Sequence, residues 1–93
     1  MILSFADKDT ERFASGIRVP RFRAFERVAY RKLRQLDIAG AINDLRIPPG
    51  NHLESLSGTR FGQHSIRING QYRICFRWTD AGPRDVEIVD YHA

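Results

Sequence analysis

Ninety-three residues, 42% hydrophobic and 28% charged, have the balance of a globular chain and supply one core, so a single domain over residues 1–93 is expected. One cysteine, no Gly-rich phosphate loop and no apolar run near the ~18 residues of a membrane span exclude a disulfide framework, a zinc finger, a P-loop and a membrane helix. The net charge of +4 is unevenly spread: residues 12–34 hold eight basic groups against the single acid Glu26, and 13 of the chain's 15 basic residues are arginine.

Such a segment favours a polyanionic partner (nucleic acid, a ribosome or an acidic protein segment), because the guanidinium fork binds phosphate and carboxylate bidentately. The plainer alternative is a solvated helix face. Charge at Asp7 and Lys8 interrupts the apolar opening, unlike a secretory leader, and the lone cysteine suits a cytoplasmic chain.

In chain order, residues 1–6 are apolar and read as an opening strand. Asp7 is a suitable N-cap for a helix to about Ala14, closed by Gly16. Pro20 suits the first turn of a second helix, to about Leu36. At about 100° per residue, Phe22, Phe25, Ala29, Leu33 and Leu36 form one stripe. Arg23, Arg27, Arg31 and Arg34 form another, roughly 150° away by the same rotation. Residues 37–46 suit one short helix, and Ile47-Pro48-Pro49-Gly50-Asn51 is a loop. Strands are predicted at 52–56, 63–68, 72–78 and 85–90, with turns at Gly58, Asn69-Gly70 and Asp80-Ala81-Gly82-Pro83. Helices followed by an antiparallel meander make an α+β fold, with the helices on one face of the sheet.

The hairpin register decides which side chains share a face. A two-residue Asn69-Gly70 turn pairs Ile66 with Arg73 and mixes polar with apolar on both faces. A three-residue loop, Asn69-Gly70-Gln71, pairs Ile68 with Tyr72, Ile66 with Ile74 and His64 with Phe76. One face then carries His64, Ile66, Ile68, Tyr72, Ile74, Phe76 and Trp78; the other carries Ser65, Arg67, Arg73, Cys75 and Arg77. Since a one-residue slip inverts a strand's burial, the three-residue loop is favoured. Arg67 and Arg73 become cross-strand neighbours, an unfavourable like-charge pair that an anion between them would relieve. Pairing of each arginine with Glu54, Glu87 or a distant acid is the alternative. Cys75 reads as a packing residue.

The segments Leu45-Arg46-Ile47-Pro48-Pro49-Gly50-Asn51, Ser65-Ile66-Arg67-Ile68-Asn69, Tyr72-Arg73-Ile74-Cys75-Phe76-Arg77-Trp78 and Val86-Glu87-Ile88-Val89-Asp90-Tyr91-His92 resemble, in order and spacing, the HigB-type toxins of the RelE/ParE superfamily. The resemblance covers nearly the whole chain and implies a small, strongly curved antiparallel sheet with two N-terminal helices against it. It further implies an mRNA endonuclease acting in the A site of the 30S ribosomal subunit. The implied partner is a HigA-like helix-turn-helix antitoxin, through which alone the toxin would reach operator DNA.

Such cleavage, without metal or cofactor, needs a base for the 2′-hydroxyl, positive charge for the phosphorane and an acid for the leaving 5′-oxygen. By resemblance, Arg73 would hold the scissile phosphate, with Arg67 and Arg77 as weaker candidates and Arg60 as an RNA or ribosome contact. Asp90, Tyr91 and His92 match the family's ending: His92 as base, Asp90 orienting it, Tyr91 stacking or donating a proton. The family's second histidine is replaced by Glu54, so Glu54 or His52 is left for the second proton-transfer role. Lys8 and Lys32 are further phosphate candidates, His64 reads as a core histidine, and Arg23, Arg27, Arg31 and Arg34 are expected to dock on ribosomal RNA. Competing functions are a ParE-like DNA gyrase poison on the same fold and a non-catalytic basic module that binds rRNA or protein.

Overall fold

The computed structural model describes residues 1–91. Asp7 caps α1 (Lys8–Ala14) by accepting the Thr10 amide at 3.2 Å, and the helix stops before Gly16, whose φ of 98° suits a residue without Cβ. The continuous helix expected from Pro20 is instead a 3₁₀ segment, Pro20–Phe25, followed by α2, Glu26–Ile38. At about three residues per turn, the 3₁₀ stretch aligns Phe22 and Phe25, both buried with ring centroids 5.8 Å apart. The short helix expected within residues 37–46 is present as a 3₁₀ helix confined to the second half of that range. α2 runs on to Ile38, and a 3₁₀ turn, Ile42–Arg46, begins where the Asp44 carboxylate accepts the Gly40 and Ala41 amides.

The four strands are β1 (Glu54–Ser55), β2 (His64–Arg67), β3 (Tyr72–Thr79) and β4 (Gly82–Asp90), an antiparallel meander in sequence order. β1 is shorter than expected because His52 sits in a left-handed conformation (φ 45°) and Ser57 leads into another 3₁₀ turn, Gly58–Arg60. The opening residues form no ladder of their own. Phe5 makes one parallel bridge to Val86, while the Leu3 and Ala6 amides donate to the Pro83 and Val86 carbonyls at 2.8 and 3.0 Å. They cover the outer edge of β4 beside a bulge, where Asp85 (φ 52°) and Val86 together face Phe76.

The hairpin has the three-residue loop: His64 faces Phe76, Ile66 faces Ile74 and Arg67 faces Arg73. The Asn69 carboxamide oxygen accepts the Gln71 and Tyr72 amides, both at 2.8 Å, which secures the turn. On the inner face Ile66, Ile74, Phe76, Val86 and Ile88 meet Phe13, Phe22, Ala29, Leu33 and Leu36 in one buried cluster. Thr10 Oγ1 accepts the Ile88 amide at 3.0 Å and pins α1 to β4, and Tyr72 packs on Phe25 with centroids 4.3 Å apart. Among the described residues, no helix is long and apolar enough to cross a membrane.

Candidate active site on the outer face of the sheet

Because side chains alternate along a strand, the inward set fixes the outward one. Ser65 and Arg67 of β2, Arg73, Cys75 and Arg77 of β3, and Glu87 and Val89 of β4 stand on the face away from the helices. Reading across, Glu54, Ser65, Cys75 and Glu87 form one row, and Arg67, Arg73 and Val89 the next. Past the bulge, Arg84 comes opposite Arg77, a second like-charge pair.

Arg73 is the most constrained cation of the face. Its Nε donates to Ser65 Oγ at 2.8 Å, its Nη2 to the His52 carbonyl, and its Nη1 lies 3.6 Å from Glu54 Oε1, leaving the side chain 12% exposed. Arg60 Nη1 donates to Gln63 Oε1 (3.1 Å) and Glu87 Oε1 (3.3 Å), and Arg77 Nε lies 3.7 Å from Asp85 Oδ2. Gly62 (φ 91°) lets its turn rest against Arg77, where a Cβ would come within 2.8 Å of Nη1. Pairing with acids therefore describes Arg60, Arg73 and Arg77, whereas exposed Arg67 has no acidic partner among the described residues. The Arg77 pair has both side chains nearly half exposed and is worth about 0–1 kcal/mol, so an incoming phosphate can displace its carboxylate.

The chain end divides between faces. The Tyr91 amide donates to the Gln71 carbonyl at 2.7 Å, and its hydroxyl lies 3.8 Å from Cys75 Sγ on the arginine face. Burial raises the Tyr91 pKa, as does the Cys75 contact, against the lowering influence of Arg60 and Arg73. Cys75 is fully buried and its thiol is pushed up chiefly by desolvation, as a packing residue would be. Asp90 faces Tyr72 across the ladder, which sets it on the side opposite Arg73, and its Oδ2 accepts from Gln71 Nε2 at 3.1 Å. The strand pleat thus separates Asp90 from the Tyr91 hydroxyl. His92 lies outside the described residues.

Lys32, expected as a phosphate contact, is buried and bonded to Asn51 Oδ1, which removes it from any ligand's reach; burial and neighbouring Arg31 hold its pKa below the usual lysine range. His64 stacks near Phe76 on the inner face and sits 3.3 Å from Ser55 Oγ. Lys8, Arg23, Arg27, Arg31 and Arg34 are exposed, and Glu26, the lone acid of the basic segment, pairs with Arg18 at 3.7 Å. Sequence reasoning missed Ser65, the His52 carbonyl and Arg84. Ser65 could have been found as a small polar residue on the arginine face, in the row next to Arg73, but a main-chain acceptor leaves no signal in residue types. A groove of about 640 Å³ lies between the N-terminal segment and the helices, lined by Ile2, Phe5, Tyr30, Leu33, Arg34 and Asp37 among others, and none of the arginine-face residues lines it.

Comparison with known proteins shows the family to which the chain belongs. The chain is 46% identical over 82 residues to Toxin HigB-1 of Vibrio cholerae, covering 86% of each chain. It is 44% identical over 52 residues to an uncharacterized protein of Haemophilus influenzae, covering 56% of this chain and 52% of that one. Its fold is shared with a chain of the YoeB-YefM complex from Staphylococcus aureus (TM-score 0.59, 18% identity, 100% of this chain and 97% of that chain). The family profile described as "RelE-like toxin of type II toxin-antitoxin system HigB" matches residues 3–92, and the chain belongs to this HigB-like toxin family.

Proposed function

We propose that this type II toxin is a ribosome-dependent mRNA endonuclease, in which the substrate's 2′-hydroxyl attacks the adjacent phosphate. The observation that carries the proposal is the Arg73 guanidinium, oriented by Ser65, His52 and Glu54 on a face that also holds Arg67 and the Tyr91 hydroxyl. A cation fixed before substrate arrives stabilises the phosphorane without reorganising in the transition state. Arg67, exposed, without an acidic partner among the described residues and directly across from Arg73, supplies a second charge to the same phosphate. In this reading His92 takes the 2′-hydroxyl proton, while Tyr91 stacks on a base or protonates the leaving 5′-oxygen. Glu54, adjacent to Arg73, is the candidate for the remaining proton-transfer role, and Asp90 acts by orienting the tail. Arg60 and Arg77 contact flanking RNA. The proposed antitoxin is HigA-like, with a helix-turn-helix domain that carries the complex to operator DNA, and the site of action is the A site of the 30S subunit in the cytoplasm.

Primer extension on a translated message after brief induction tests this. Wild type is expected to cut within codons, and Arg73→Ala to lower the cleavage step by ~10²–10³, the scale for one preorganised charge contact. His92→Gln should also abolish the cuts. An intact message accompanied by DNA breaks would identify a gyrase poison instead, and toxicity indifferent to both substitutions would identify a non-catalytic binding module.

A further inference from the structure

We propose that Lys32 and Asn51 are positioning residues for Arg73: their buried ammonium–carboxamide clamp fixes the loop whose next main-chain carbonyl holds the guanidinium. The inference rests on the reading of Arg73 as the phosphate-stabilising group. Lys32 is only 6% exposed and is the one buried cation among the described residues. Its Nζ donates to Asn51 Oδ1. Asn51 is 0% exposed, and its Nδ2 faces three acceptors: Gln35 Oε1 at 3.1 Å, the Leu45 carbonyl at 3.1 Å and the Ile47 carbonyl at 3.4 Å. A lysine can only donate, so it turns the carboxamide oxygen toward itself and leaves the nitrogen to the Gln35, Leu45 and Ile47 oxygens. The clamp therefore ties residues 45–51 to α2 in one orientation.

The chain leaves the clamp through His52, whose left-handed backbone (φ 45°, ψ 56°) aims its carbonyl at Arg73 Nη2. Two residues on, Glu54 brings its carboxylate to Nη1. One of the guanidinium's three partners, the His52 carbonyl, thus hangs from the loop that Asn51 anchors; Glu54 and Ser65, paired across β1 and β2, come from the sheet. Among the described residues Lys32 has no carboxylate partner, and such an ammonium is costly to keep out of water, so an apolar side chain would serve the core better. Its place is accounted for by the geometry it imposes one residue before the Arg73 acceptor.

A double-mutant cycle on message-programmed ribosomes, read as single-turnover cleavage at saturating toxin, decides the matter. Lys32→Met is expected to slow cleavage about 10- to 10²-fold with ribosome affinity unchanged. Combined with Arg73→Ala it should add nothing to the loss from Arg73→Ala alone, because both act through one guanidinium. Asn51→Asp preserves side-chain volume and gives Lys32 a counter-ion, yet turns a carboxylate oxygen toward the Leu45 and Ile47 carbonyls. It should show the same slow cleavage in a chain whose melting curve proves it folded. If Arg73→Ala is slow while Asn51→Asp and Lys32→Met cleave normally, or if the losses multiply in the double variant, the positioning role is overturned and the reading of Arg73 survives. If Arg73→Ala itself cleaves normally, both fall.

Discussion

Two outward residues of β3, Arg73 and Cys75, lie on the same face and meet opposite fates. The guanidinium is aimed by three partners, while the thiol stays buried, 3.8 Å from the Tyr91 hydroxyl. Desolvation raises the Cys75 pKa, so less thiolate exists at neutral pH than in a free cysteine. Iodoacetamide at pH 8 should therefore modify Cys75 in the folded chain at least ~10-fold more slowly than in the denatured chain, followed by mass spectrometry. The linkage has a definite sign. A folded-state pKa above the unfolded value means that the native chain keeps a proton the unfolded chain releases. Stability from this group is complete below the ordinary thiol range and falls as pH rises through it. Equal labelling rates in native buffer and denaturant would rule out the burial that assigns Cys75 to packing.

Among the elements, α2 combines three different surfaces. Ala29, Leu33 and Leu36 enter the core, Lys32 and Gln35 reach the loop amide of Asn51, and Arg27, Arg31 and Arg34 face solvent. Arg23 extends the same charged surface onto the preceding 3₁₀ segment. Of the two acids of α2, Glu26 engages Arg18 and Asp37 accepts the Ile2 amide at 2.8 Å, and neither forms an ion pair with the stripe among the described residues. We expect Arg27→Glu and Arg31→Glu to weaken ribosome binding and to flatten its salt dependence, each lost phosphate contact reducing the slope of log affinity against log salt by roughly 0.7–0.9. The single-turnover cleavage rate at saturation should be unchanged. Binding independent of ionic strength, measured by sedimentation with ribosomes between low and physiological salt, would reject this docking surface.

Over the whole molecule, one core serves two basic surfaces that the layered architecture turns apart. The sheet presents Arg67, Arg73, Arg77 and Arg84 on its outer face, and the helices on its inner face direct the α2 arginines away from it. The principal extents are 31 × 27 × 26 Å, so a polyanion on one surface leaves the other free for a second contact. This arrangement depends on the buried stripe between the layers. Leu36 is fully buried, and Leu36→Ala should destabilise the chain by about 2–5 kcal/mol, read from urea denaturation. For a domain of this size that is a large share of the stability. Antitoxin binding would offset the loss by mass action, so the variant should melt early alone and recover in complex.

Residue types alone determined the apolar and basic stripes near α2, the meander and the hairpin register, because each is a local periodicity that side-chain burial enforces. Placing Arg67 across from Arg73 needed nothing beyond that register. Other features had no such signature. Pro20–Phe25 became 3₁₀ because two phenylalanines pack in line against the same core, and residues 1–6 became an edge cover because a bulge in distant β4 shaped their pairing. Lys32 read as a surface cation and proved to be buried, since its partner Asn51 is 19 residues away in the chain. The separation of Asp90 from Tyr91 followed from strand pairing that continues to Asp90, and the acceptor for Arg73 at His52 is a carbonyl that every residue type possesses. Local patterning is written in side-chain chemistry, whereas these contacts depend on which backbone and side-chain atoms meet once the layers close, and only the tertiary structure decided them.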